Sequence, residues 1–150
     1  MENKAQNEAV RSQQNQATQT RDVKVTRAVA QNEMNKWLDF KKIKAKKREG
    51  LAESIEEVID SIEDGTLRLD EDKKLIQDLS FPLEGVSELV FKPRIQAVDI
   101  NAALKGIKMN DNNGRVIAYI SALTGRPKTL ISKLDTEDMS IGNTLAVFFI

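Results

Sequence analysis

Residues Asn113–Ile150 read NGRVIAYISALTGRPKTLISKLDTEDMSIGNTLAVFFI, the densest apolar stretch of the chain and the one that decides its fold class. Val116, Ile120 and Leu123 recur at i, i+4 and i+7, which predicts a helix with one buried stripe, flanked by Ile117 and Tyr119. Gly125 supplies the residue type that tolerates the left-handed backbone just past a helix end. Pro127 then suits the opening of a second, short helix through Leu130, Ile131 and Leu134, because proline has no N–H to leave unsatisfied there. Asp135 reads as the cap of a third helix, with Asp138 adding a carboxylate in its first turn, where the helix dipole favours negative charge. Ile141, Leu145 and Phe148 fall on one face of that helix.

Working outward, residues 80–112 change period. Phe81-Pro82-Leu83 and Ser87–Lys92 flank the turn-prone pair Glu84-Gly85, which predicts a two-stranded antiparallel hairpin. Pro82 and Pro93 restrict those strands to edges or ends. Asp99 is expected to cap a helix through Ile100, Ala103 and Leu104 that closes at Gly106, and 111–114 to form a turn. Further upstream, Leu51, Ile55, Val58, Ile59 and Ile62 give a clear amphipathic helix over residues 51–63. Asp64-Gly65 ends it, Thr66–Leu69 is extended, and Glu71–Leu79 is expected to add a helix through Leu75, Ile76 and Leu79. Residues 21–48 are helix-compatible, with a narrow, broken stripe of Val25, Val29, Met34, Trp37 and Leu38 that extends to Phe40. Residues 1–20 are Gln- and Asn-rich with little to bury, and the composition predicts disorder when free, or, since the segment holds no Gly or Pro, a helix formed only on a partner. The expectation is a mainly α protein with one small antiparallel β-hairpin. It has a polar segment 1–20, an extended N-terminal helical arm over 21–79, and a compact helical domain with the hairpin over 80–150.

Composition narrows the function. The 150 residues carry 23 Lys and Arg against 23 Asp and Glu, so the net charge is zero, and there is no cysteine or histidine. Disulfides, thiolate chemistry, Cys/His zinc sites and the commonest general base are thereby excluded. No phosphate-binding glycine loop and no Ser-x-x-Lys pair occurs. The cluster Asp135, Glu137 and Asp138 is read as capping rather than as a metal site. The expectation is a non-enzyme without cofactor or metal. The first twenty residues lack the apolar core of a secretory signal, and the run Leu145–Ile150 is too short to cross a bilayer, so a soluble, non-secreted protein without membrane partners is expected.

Two features read in two ways. Trp37 is either the inner face of a helix packed on the rest of the chain or an anchor for a partner, together with Leu38. The basic run Lys41, Lys42, Lys44, Lys46, Lys47 and Arg48 is either a nucleic-acid patch or a solvated face preceding the acids of 53–64. No aromatic residue interleaves with those lysines to stack a base, which disfavours nucleic acid. The opposed charges of the two runs also admit a homo-oligomer.

From about Leu79 to Ile150 the chain resembles the tail assembly chaperones of P2-like and Mu-like contractile-tailed phages. The resemblance rests on Phe81-Pro82-Leu83, a second strand Leu89-Val90-Phe91-Lys92-Pro93 ending in a polar residue and proline, and Asp99 opening a helix. Ser121-Ala122-Leu123-Thr124-Gly125, then Lys133-Leu134-Asp135 through Asp138 and a last apolar helix, complete it. It implies a non-catalytic assembly factor of the host cytoplasm that binds the tape-measure protein and helps recruit tail-tube subunits. The long N-terminal extension departs from the family pattern and admits an alternative, a structural or scaffold component of the particle that oligomerises through its arm. A nucleic-acid-binding module acting through 41–48 is a third reading. Under the chaperone reading the expected partner-binding residues are Trp37, Leu38, Ile141, Leu145, Phe148, Phe149 and Ile150.

Overall fold

The computed structural model describes residues 24–149; the segment 1–20 and Ile150 lie outside the described residues. Among the described residues, seven α-helices and three strands follow in order. They are α1 (Arg27–Phe40), α2 (Ala45–Gly50), α3 (Ala52–Glu63), β1 (Leu67–Leu69), β2 (Leu75–Leu83), β3 (Val86–Phe91), α4 (Ala97–Leu104), α5 (Asn112–Thr124), α6 (Lys128–Ile131) and α7 (Thr136–Ala146). A single 3-10 turn, Val147–Phe149, continues α7. The class is mainly α with a small antiparallel β element.

The sheet is larger than a hairpin. Its order is β1-β2-β3, with Leu67 opposite Gln77 on one side of β2 and Leu75 opposite Phe91 on the other. The helix expected over 71–79 is instead the first half of β2. Leu75, Gln77 and Leu79 alternate inward, and the polar Gln77 at a buried position disguised the two-residue period. A tight turn enforces the strand. Lys73 has a left-handed φ of 62°, and the Asp70 carboxylate accepts the Lys74 backbone N–H at 2.8 Å. On the solvent face Arg68 bridges Asp78 at 3.5 Å and Glu88 at 3.0 Å, linking all three strands.

The β2–β3 pairing breaks partway. Between the pairs Asp78↔Glu88 and Leu83↔Val86, four residues of β2 (79–82) stand opposite Ser87 alone. Pro82 sits in that bulge, where no ladder N–H is required of it. Beyond the bulge the strands join through Glu84-Gly85, as the sequence predicts.

The described part of the arm, 24–79, shares one core with 80–149. Ala30, Met34, Trp37 and Leu38 of α1 fall at i, i+4, i+7 and i+8 and are buried together with Val58, Ile59 and Ile62 of α3 and with Leu145 and Phe148. The backbone N–H of Val25 donates to Glu63 at 3.2 Å, sewing the entry of α1 to the end of α3. Arg27 adds ion pairs to Glu56, Asp60 (2.8 Å) and Glu63 (3.1 Å), which recur at i, i+4 and i+7 on α3. Much of the acidic run is therefore the seat of one arginine.

The expected helix boundaries in 111–146 hold with small shifts. Asp111 caps α5 through Gly114 N–H at 2.9 Å, so the expected turn is the first turn of a helix. Gly125 ends α5 with φ 68°, a conformation that costs a side-chain-bearing residue. Asp135 caps α7 through Glu137 N–H at 2.9 Å. α4 is capped one turn earlier than expected, at Gln96, which places Asp99 inside its first turn. Where α5 and α7 cross, Gly142 lies against Ile120, and a Cβ on it would come within 2.7 Å of that side chain. Glycine is the residue that permits this approach.

Candidate functional site

α7 and the turn after it carry most of the residues expected to bind a partner, and the fold uses them for itself. The buried positions of α7 are Asp138, Gly142, Leu145 and Ala146, so its inner face is rotated by about one residue from the expected Ile141–Leu145–Phe148 stripe. Leu145 and Phe148 are core residues, as are Trp37 and Leu38. Trp37 and Phe148 meet edge-to-face with ring centroids 5.3 Å apart, and Phe149 approaches the same indole at 6.1 Å. Such pairs add about 0.5–1.5 kcal/mol beyond the area they bury. The reading of Trp37 as a helix face packed on the chain is the one observed; as folded, Trp37, Leu38, Leu145 and Phe148 offer no surface to a partner. The indole N–H of Trp37 is buried and finds no acceptor among the described residues.

Ile141 and Phe149 remain partly accessible. Ile141 lines a cleft of about 220 Å³ between α3 and α7, with Val58 and Leu67 as its floor and Glu57 and Asp60 at its rim. Thr144 donates its hydroxyl to Glu57 across that cleft at 2.8 Å. Phe149 lies beneath Lys41, whose Nζ is 3.6 Å from the ring centroid and 5.3 Å from that of Trp37. The same ammonium donates to the Pro93 carbonyl at 3.0 Å. Lys41 thus fastens α1, the turn after α7 and the β3–α4 connection together. Burial, and then the nearby charges of Lys47 and Arg94, pull its pKa down to about 8.

The basic run is not one continuous face. α1 ends at Lys41 and Lys42, the latter with a left-handed φ of 58°, and Ile43 turns into the core. Arg48 pairs with Asp39 at 2.7 Å and donates to the Ile43 carbonyl at 2.7 Å. Lys41 and Arg48 are engaged within the chain.

Asp138 departs furthest from its expected part. It is fully buried, and its two carboxylate oxygens accept the backbone N–H groups of Ser80 (2.8 Å) and Phe81 (3.0 Å), both in the bulge of β2. The backbone carbonyl of Asp138 accepts Gln77 Nε2 at 2.9 Å. A carboxylate from a helix thus replaces the ladder partners that the bulge removes. The sequence did hold a sign of this: Asp138 is in phase with Gly142 and Leu145, at i, i+4 and i+7. Asp135 and Asp138 serve different elements, one capping α7 and the other holding the sheet.

A few large apolar side chains remain at the surface: Val29, Phe40, Phe81, Val98 and Met109. Phe40 is covered in part by Arg94, whose guanidinium is 5.6 Å from the ring. Val98 lies on α4, a helix with no buried residue, and Met109 in the connection that follows. Periodicity singled out neither: the apolar residues of α4 surround the helix, and Met109 lies outside any helix. No helix among the described residues is long and apolar enough to cross a membrane. Comparison with protein-family models, curated proteins and solved structures finds no match for this chain.

Proposed function

We propose that this chain is a non-catalytic assembly factor of the phage tail-chaperone kind, which binds a tape-measure protein in the host cytoplasm and helps bring tail-tube subunits to it. One observation carries the reading. The short motifs behind the resemblance are spread over nearly sixty residues, and the bonds that hold this half of the chain together run between them. Asp138, which ends the Lys-Leu-Asp-x-x-Asp element, holds the strand at Ser80 and Phe81. Lys92, in the polar-residue–proline exit of β3, donates its backbone N–H to Leu123 of the Leu-Thr-Gly element at 2.9 Å. The exposed Phe81, Val98 and Met109 add apolar surface of the type such a factor needs.

Co-expression with a tape-measure protein tests the reading. A co-purifying complex and a larger soluble fraction of that protein are expected; no complex together with unchanged solubility overturns it. Mass spectrometry of purified virions separates the chaperone from a structural component of the particle. The chaperone is expected to be absent, whereas a stoichiometric amount would favour the structural reading.

A further inference from the structure

Beside the close crossing at Gly142 and Ile120, α5 and α7 diverge into a groove of about 390 Å³. From α5 it takes Asn112, Arg115, Val116 and Tyr119, at i, i+3, i+4 and i+7; from α7 and the following turn it takes Asn143, Ala146 and Val147, at i, i+3 and i+4. Each wall is thus one continuous helical face. Val116, Ala146 and Val147 make an apolar floor, kept open by the small side chain of Ala146.

The rim is polar and uncommitted. Among the described residues, the side chains of Asn112, Arg115, Tyr119 and Asn143 make no hydrogen bond or ion pair. Among the described arginines, Arg27, Arg48 and Arg68 each hold a carboxylate, whereas Arg94, Arg115 and Arg126 do not. Arg115 is the only charged residue of the groove, and its planar fork is suited to gripping a carboxylate with two parallel N–H donors. Two carboxamides and a phenol around an apolar floor supply the remaining donors and acceptors.

We infer that the α5–α7 groove binds an amphipathic helical segment of a protein partner, its apolar face on Val116, Ala146 and Val147 and an acidic side chain on Arg115. An apolar floor between two helical faces suits a third helix laid along it, and the one charged residue of the groove, a cation, selects an acidic one. The inference rests on the reading of the chain as a partner-binding assembly factor and names the surface that does the binding.

The test uses the full chain co-expressed with a tape-measure protein. Arg115→Glu reverses the charge, and Asn143→Trp fills the groove from an exposed position that the fold does not depend on. Both are expected to lower the amount of co-purified partner about tenfold or more, as loss of a buried charge-paired contact does. Circular dichroism melts check that the variants are folded; should Arg115→Glu unfold the chain, Asn143→Trp carries the test. If the unaltered chain captures the partner and the folded variants capture it equally well, the groove assignment is wrong while the function stands. If the unaltered chain captures none, the function falls and the groove with it. A change in the elution volume of the free protein on either substitution makes the occupant a second copy and overturns the proposal.

Discussion

Helices α1 and α4 show how little overall apolar content says about burial. α4, AVDINAAL, is apolar in six of its eight positions and buries none of them. α1, RAVAQNEMNKWLDF, is largely polar and buries Ala30, Met34, Trp37 and Leu38. The difference is phase. In α1 the buried residues recur on one stripe, so the helix has a single way to lie down and a polar back to show to water. In α4 the apolar residues encircle the axis, so no orientation hides them all, and three of the six are alanines, whose exposure is inexpensive. The helix expected in an outlying arm is core, and the mostly apolar α4 is only half-buried, at Ile100, Ala103 and Leu104.

Four measurements would break or sharpen this contrast, and the largest effect belongs to α1. Trp37→Ala removes the side chain that joins α1 to Phe148 and Phe149 and should cost about 3–5 kcal/mol in denaturant unfolding. Trp37→Phe should cost much less, because it keeps a ring and discards the buried, unpartnered N–H. A partner anchor on a free helix would instead leave unfolding nearly untouched.

Next is Asp138→Ala, which leaves the Ser80 and Phe81 N–H groups without their charged acceptor and should destabilise by about 3 kcal/mol. Amide exchange at residues 80 and 81 should accelerate most. Unchanged protection there would mean that the bulge is held by something other than α7.

Lys41 gives a smaller, pH-dependent effect. Folding takes its amine from 10.5 to about 8. Between those values the unfolded chain holds a proton that the folded chain lacks, so this group makes stability rise as pH increases from about 8 toward 10.5. Melting curves across that range should show the rise in the unaltered chain and lose it in Lys41→Gln; parallel curves for the two proteins would contradict the burial of the amine. Smallest is Val98→Ser on α4, expected to change stability by less than about 0.5 kcal/mol. A larger loss in that variant would mean that α4 is better packed than its exposure indicates.

Much of this fold was legible in the chain wherever one residue type enforces one local geometry. Gly125, Asp135 and Glu84-Gly85 fall where their backbone preferences put them, and the Ile55–Ile62 stripe is the inner face of α3. The misreadings share a cause, a polar residue doing a buried task. Gln77 hid a strand by breaking its alternation, and Asp138 hid the true phase of α7 by resembling an ordinary helix-start acid. Their partners lie some sixty residues away, beyond what local pattern reports. Trp37 was ambiguous for a related reason: its stripe is narrow, and the surfaces that cover it come from α3 and from the far end of the chain. The groove residues were visible only in part. Val116 and Tyr119 belonged to a recognised helix, but that Arg115 meets no carboxylate among the described residues is a fact of tertiary structure.

The meeting of Trp37 with Phe148 has a consequence for synthesis. As the chain leaves the ribosome, α1 appears early, whereas the rings that cover its indole are more than a hundred residues behind. The bulge of β2 likewise waits for Asp138. Vectorial synthesis therefore leaves an uncovered tryptophan and a half-satisfied strand until residues 138–149 have been made. Anything that delays residues 138–149 prolongs the interval in which the nascent chain can bind the wrong surface.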